Sequence, residues 1–153
     1  MEALVRSPFG PPVSMRDAYG HELVALGQAR EDLVVLSADV ENSDRSYLFE
    51  EAYPQRFVNV GIAEQSLVDV AVGLSKAGKV PIANTFAFLF STRALEQVRT
   101  ASPDLILLDI MMPNMDGYQF ISHLRRESSI PVIMITAKQQ EVDIIHGFEL
   151  GAD

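Results

Sequence analysis

The sequence holds 153 residues, with 12 Lys and Arg against 21 Asp and Glu for a formal charge of −9, and 48% of it is apolar. One domain with a packed core fits that length and composition, while the zero cysteine count excludes a disulfide framework, a thiolate zinc site, a catalytic cysteine and an iron–sulfur cluster. The charge is −4 over residues 1–100 and −5 over residues 101–153, so neither part offers the Lys/Arg excess that neutralises nucleic-acid phosphates.

Residues 1–13 carry Pro8, Gly10, Pro11 and Pro12, which deny helical hydrogen bonds and mark an extended lead-in. Ser14 with Asp17 three residues on reads as a capping box, and Tyr19, Leu23 and Leu26 then recur on one helical face. Leu33 to Leu36 is an unbroken apolar run of the kind a strand shows when both its faces are covered. After a polar stretch from Asp39 to Asp44, a short helix is expected over Tyr47–Ala52, ended by Pro54, and a strand over Phe57–Ile62. Glu64 to Ala77 places Leu67, Val70, Ala71 and Leu74 at helical spacing, with Gly78 as the stop.

Strand is then expected over Val80–Ala87, Leu105–Ile110 and Val132–Ile135, and helix over Arg93–Thr100, Gly117–Arg126 and Gln139–Leu150. Apolar runs such as Leu105–Leu108 and Val132–Ile135 are far below the ~20 residues of a membrane span, and the start does not read as a signal peptide. A cytoplasmic protein is the expectation. Strands alternating with helices at this spacing require right-handed crossovers, so the expected fold is α/β, flavodoxin-like or doubly wound, a parallel sheet with helices on both faces. Chemistry in such sheets collects at the carboxyl ends of the strands, which puts Asp39, Glu64, Phe86, Asp109 and Thr136 along one rim.

Ser14-Met15-Arg16-Asp17-Ala18-Tyr19-Gly20, Ser37-Ala38-Asp39-Val40, Asn59-Val60-Gly61-Ile62-Ala63-Glu64-Gln65 and Thr85-Phe86-Ala87 follow one another in the order found in transketolases. Over residues 13–100 the chain resembles the pyrimidine-binding domain of a thiamine-diphosphate enzyme, and its start at Met1 is similar to the separate C-terminal subunit of split transketolases. The resemblance implies that Glu64 hydrogen-bonds the aminopyrimidine ring and promotes its imino tautomer. It further implies that Gly61 and Ile62 belong to the cofactor-binding residues, that Phe86 stacks on the ring, and that Asp39 lies near the cofactor. A second stacking aromatic stays open between the positions of Phe88 and Leu89. By resemblance, the diphosphate and its Mg2+ belong to a separate domain with a Gly-Asp-Gly motif, which this sequence lacks. Read from the residues alone, Glu64 equally suits a helix start, and phenylalanines such as Phe86, Phe88 and Phe90 more often pack a core or a sheet end than line a cofactor slot.

Pro103-Asp104-Leu105-Ile106-Leu107-Leu108-Asp109, with Met112-Pro113-Asn114-Met115-Asp116-Gly117 after it, resembles a response-regulator receiver domain. Pro131 to Ala137 and Gly147 to Asp153 continue that pattern, so this resemblance covers residues 92–153. It implies Asp109 as the phosphoacceptor and Mg2+ ligand and Thr136 as the residue that senses the phosphoryl group. Phosphoryl transfer to a carboxylate also needs a metal seat and a cation on the equatorial oxygens. The receiver's acidic pair is missing where Phe57–Ile62 would stand as its first strand, Lys138 falls at a different place from the receiver lysine, and the sequence stops before the strand that would carry it.

The stretch Ala94 to Arg99 suits both families, so a crossover there joins two series of matching period. The expectation is a single hybrid domain over residues 1–153, with a transketolase-like part over 14–100 and a receiver-like part over 101–153. It would be a chimeric scaffold without complete activity of its own, either a fold recombination or a joined gene fragment. The alternatives are a transketolase C-terminal-type subunit that needs a partner chain carrying the diphosphate-binding domain, and a phosphorelay receiver phosphorylated on Asp109. The strand Val132–Ile135 is expected at a sheet edge, which favours a homo-oligomer. No nucleic-acid or membrane partner is expected. In the hybrid, Leu95 and Val98 are expected to reach both Ile82 and Leu107.

Overall fold

The computed structural model describes residues 14–85, 101–109, 117–126, 128–135 and 141–153. Helix α1 spans Met15–Ala29, with the Ser14 hydroxyl accepting from the Asp17 amide at 3.5 Å as its cap. Its buried face is Gly20, Leu23 and Gly27, while Leu26 is left exposed. The two glycines decide this, because they let a neighbouring helix approach closely. A Cβ at Gly27 would sit 2.6 Å from the Phe49 and Tyr53 rings.

Strand β1, Leu33–Ser37, is buried at every position. It is followed by α2, Glu41–Asp44, and α3, Tyr47–Ala52, and then by a 3-10 turn over Pro54–Arg56. Strand β2 is Phe57–Asn59, helix α4 is Glu64–Lys76 and strand β3 is Val80–Asn84. The sheet order is β2-β1-β3, all parallel, with Ser37 opposite Asn59 on one side and Asn84 on the other. Leu33 and Val35 meet Leu23 and Phe49 on one face, while Val34 and Leu36 meet Leu67 of α4 on the other. Such two-sided cover is why the run reads as unbroken apolar residues. On α4 the buried pair is Leu67 and Val68, and Val70 is 38% exposed, one position off the face expected from spacing.

Strand β4, Ile106–Asp109, pairs in parallel with β5, Val132–Ile135, and α5, Gly117–Arg125, connects in sequence to β5. Helix α6 is Glu141–Glu149. Leu108 and Val132 pack on Phe120, Ile121 and Leu124, with Leu150 and Ala152 at the margin. Arg125 holds the last residues in place. Its guanidinium donates to the carbonyls of Gly151 and Ile130 at 2.7 Å each and meets the Asp153 carboxylate at 3.0 Å, which also accepts from the Val132 amide.

Two expectations change. β1 rather than β2 is the central strand, so Phe57–Asn59 is an edge strand and does not take the first-strand place of a receiver. The physical reason is burial: β1 is covered on both sides, whereas the β2 positions are half-buried or exposed. Among the described residues β3 and β4 share no ladder, and the strands form two sheets instead of one continuous one. Packing joins them, since Val68 of α4 lies against Ala101, Ile106 and Ile130.

Candidate functional site

A central strand in a parallel sheet delivers its carboxyl end between the ends of both neighbours, and ligands bind in that crevice. Here that end is Ser37-Ala38-Asp39. Asp39 is exposed and takes φ 61°, a left-handed backbone that strains a residue with a Cβ. The turn is held by Ser37, which is fully buried and whose hydroxyl accepts from the Val40 amide at 3.0 Å. That hydroxyl donates in turn to the Glu41 carboxylate at 2.9 Å. From the β2 side, the Asn59 amide donates to the same Glu41 oxygen at 3.2 Å, and its carbonyl accepts from the Gly61 amide at 2.8 Å. Gly61 has φ 70°, so glycine suits that turn.

Glu64 opens α4 directly after this turn and is only 2% exposed. It lines a shallow depression of about 230 Å³ together with Ile62, Ala63, Gln65 and Ser66. Ile62 stands 68% exposed at its mouth. A carboxylate at a helix N-terminus is favoured by the helix dipole.

On the β3 side the Tyr19 hydroxyl donates to the Asn84 side-chain carbonyl. Among the described residues, the buried Asn84 amide nitrogen and Thr85 hydroxyl have no hydrogen-bond partner. Burial, then the charge of Asp44, pushes the Tyr19 hydroxyl well above its ordinary pKa of 10.0. Burial likewise raises the Asp44 carboxyl. Further out, the hydrogen bond from Arg45 holds the Asp17 carboxyl below its ordinary range.

Of the residues expected at the site, Asp39 follows β1, and Gly61, Ile62 and Glu64 follow β2, past the carboxyl ends of adjacent parallel strands. Asp109 ends β4 in the other sheet, opposite Ile135. Phe86 and Thr136 lie outside the described residues, as do Leu95 and Val98. Among the described residues no group of three or more His, Asp or Glu side chains could hold a metal ion. Also among them, no helix is long and apolar enough to cross a membrane. Glu41 and Asn59 were not singled out from sequence. Neither residue type marks a site by its neighbours in sequence, and the β1–β2 register brings the two together.

Residues 81–153 match the response regulator receiver domain. That match starts inside β3, ahead of residue 92. Over 85 residues the chain is 42% identical to a putative transketolase C-terminal section of Methanocaldococcus jannaschii, covering 56% of this chain and 27% of that protein. Over 62 residues it is 48% identical to the DNA-binding response regulator MtrA of Mycolicibacterium paratuberculosis, covering 40% of this chain and 28% of that protein. A solved split gene transketolase, described as an inactive beta4 tetramer, aligns at TM-score 0.57 and 34% identity over 82% of this chain and 50% of its own. The chain therefore spans about a quarter of the length of these curated relatives. A likeness over 82% of the chain does not fit within residues 1–80, so the transketolase likeness runs into the receiver-matched residues. The chain carries both likenesses, on a parallel α/β fold.

Proposed function

We propose that the chain is an α/β scaffold in which a transketolase-like pyrimidine-binding fragment, residues 14–100, is joined to a receiver-like fragment, residues 101–153, and that by itself it completes neither activity. The observation that carries this reading is the division of the chemistry between two sheets. Asp39 and Glu64 belong to the edge of β2-β1-β3, and Asp109 belongs to β4. Each set is one part of a larger constellation. Glu64, buried beside a depression of about 230 Å³, fits the edge of an aminopyrimidine. Thiamine diphosphate, when bound, supplies a thiazolium ylid that stabilises a carbanion. The chain's own contribution is the carboxyl that holds the pyrimidine proton, with Asp39 close to the same edge and Phe86 as the stacking residue. No Gly-Asp-Gly sequence is present to seat the diphosphate and Mg2+.

A second reading is an enzyme subunit that works only with a partner chain carrying the diphosphate-binding half. It is favoured by the 34% identity to a split gene transketolase that is itself described as an inactive tetramer. A third is a phosphorelay receiver that uses Asp109 and Thr136, favoured by the match over residues 81–153.

Calorimetry with thiamine diphosphate and Mg2+ tests the first reading. Binding weaker than about 1 μM, that is less than about 8 kcal/mol, is expected for the chain alone. Micromolar binding by the isolated chain would overturn it. The same preparation incubated with acetyl phosphate should gain no stoichiometric phosphoryl group by intact mass, because a carboxylate without a metal seat and a cation does not neutralise the transferring oxygens. A Mg2+-dependent gain abolished by Asp109→Asn would favour the receiver reading.

A further inference from the structure

We propose that Glu41 is a positioning residue of the candidate site, whose single carboxylate oxygen couples the turn that carries Asp39 to the turn that leads into Glu64. The proposal rests on the reading that these two acidic residues face one ligand. Its basis is a continuous series of hydrogen bonds across the β1–β2 register. The Val40 amide donates to Ser37 Oγ at 3.0 Å, Ser37 Oγ donates to Glu41 Oε2 at 2.9 Å, and Asn59 Nδ2 donates to that same oxygen at 3.2 Å. Asn59 Oδ1 then accepts from the Gly61 amide at 2.8 Å.

The two ends of this series are the two left-handed turns of the site, Asp39 at φ 61° and Gly61 at φ 70°. Neither conformation is a local default, so each depends on what holds it. Ser37 and Asn59 are register partners at the last position of their strands, and the backbone adds one bond there, from the Val60 amide to the Ser37 carbonyl at 2.9 Å. The β1–β2 ladder ends there, and Glu41 Oε2 accepts from the last residue of each strand. An ionised acceptor makes stronger bonds than a neutral one, and one oxygen shared by two donors transmits a shift of either loop to the other. Glu41 does not touch the depression lined by residues 62–66, so it acts through Asp39 and Gly61 rather than on a ligand.

Amide hydrogen exchange on the full chain decides this, with millimolar thiamine as the binding probe followed by amide shifts. Glu41→Ala is expected to raise exchange at Val40 and Gly61 at least tenfold, to leave Val80–Asn84 unchanged, and to weaken thiamine binding at least fivefold. Glu41→Gln keeps an acceptor oxygen and should restore both readouts to within about twofold. Asn59→Ala should act on Gly61 as Glu41→Ala does, and the double variant should add little, because both break one series. Unchanged exchange at Gly61 in Glu41→Ala, or a rise spread equally over Val80–Asn84, would overturn the proposal, as would equal thiamine affinity in wild type and Glu41→Ala. If the wild type binds no thiamine, the pyrimidine reading falls, and the exchange data alone decide the role of Glu41.

Discussion

Tyr19 puts a hydroxyl where α1 meets the end of β3, and it finds one partner there, the Asn84 side-chain carbonyl. Removing the hydroxyl leaves that buried carbonyl without its donor, a loss of about 1–2 kcal/mol. Tyr19→Phe should therefore lower the urea midpoint at pH 7. The hydroxyl also carries a pH signature, because its folded pKa lies above the ordinary 10.0. A raised pKa means the native state holds the proton more tightly, so this contribution is intact below about pH 10 and is lost as the pH climbs beyond it. Wild type should accordingly lose more stability between about pH 9 and pH 11 than Tyr19→Phe does, measured by urea unfolding at both pH values. Equal alkaline losses would show that Tyr19 titrates as it does in the unfolded chain.

Among the elements, the β4–β5 pair shows how alternation sorts neighbours in a strand. Leu108 and Val132 are buried under α5, while Leu105, Leu107 and Ile133 are each nearly half exposed. Leu107 was expected to meet the crossover helix at the junction of the two fragments. At 49% exposure it buries too little surface for its truncation to be costly. Leu107→Ala should cost under about 1 kcal/mol and Leu108→Ala about 2–5 kcal/mol, read from urea midpoints at unchanged slope. Comparable costs would mean that the outward face of this sheet is covered in solution. Short unbroken apolar runs and 3.6-residue spacing predicted most of the described elements, since both depend only on neighbours along the chain. Misassignments fell at the margins of faces. Leu26 and Val70 lie at helical spacing yet are exposed, because the partner that covers a helix chooses the face. In α1 that partner is α3, and it docks on Gly20 and Gly27.

At the scale of the whole molecule, two sheets with their own cores meet through α4, whose Leu67 serves the first and whose Val68 touches Ile106 next to the second. That shared helix predicts coupling between them. Leu36→Ala in the first core and Leu124→Ala in the second should each shift one common urea transition, and the two sets of optical probes should coincide. Two transitions moved independently would show two separately folding fragments and would sink the reading of residues 1–153 as one hybrid domain.

The alternation of strands and helices, the acidic charge, the lack of thiols and the two sets of motifs were all present in the amino-acid order, because each is a property of neighbours along the chain. So was the place of Asp39 and Asp109 at the carboxyl ends of parallel strands, since a parallel α/β series sends every strand's carboxyl end the same way, although the two strands lie in different sheets. Strand order was not. That β1 lies between β2 and β3, and that β4 pairs with β5 without a ladder to β3, depends on which buried faces find cover, a competition among distant segments. The link from Ser37 through Glu41 to Asn59 was equally hidden, for Glu41 and Asn59 stand 18 positions apart and meet only after the register is set. Local pattern determined what the pieces are, and tertiary packing decided which of their polar groups share a hydrogen bond, because a bond between loops exists only once the strands beneath them are aligned.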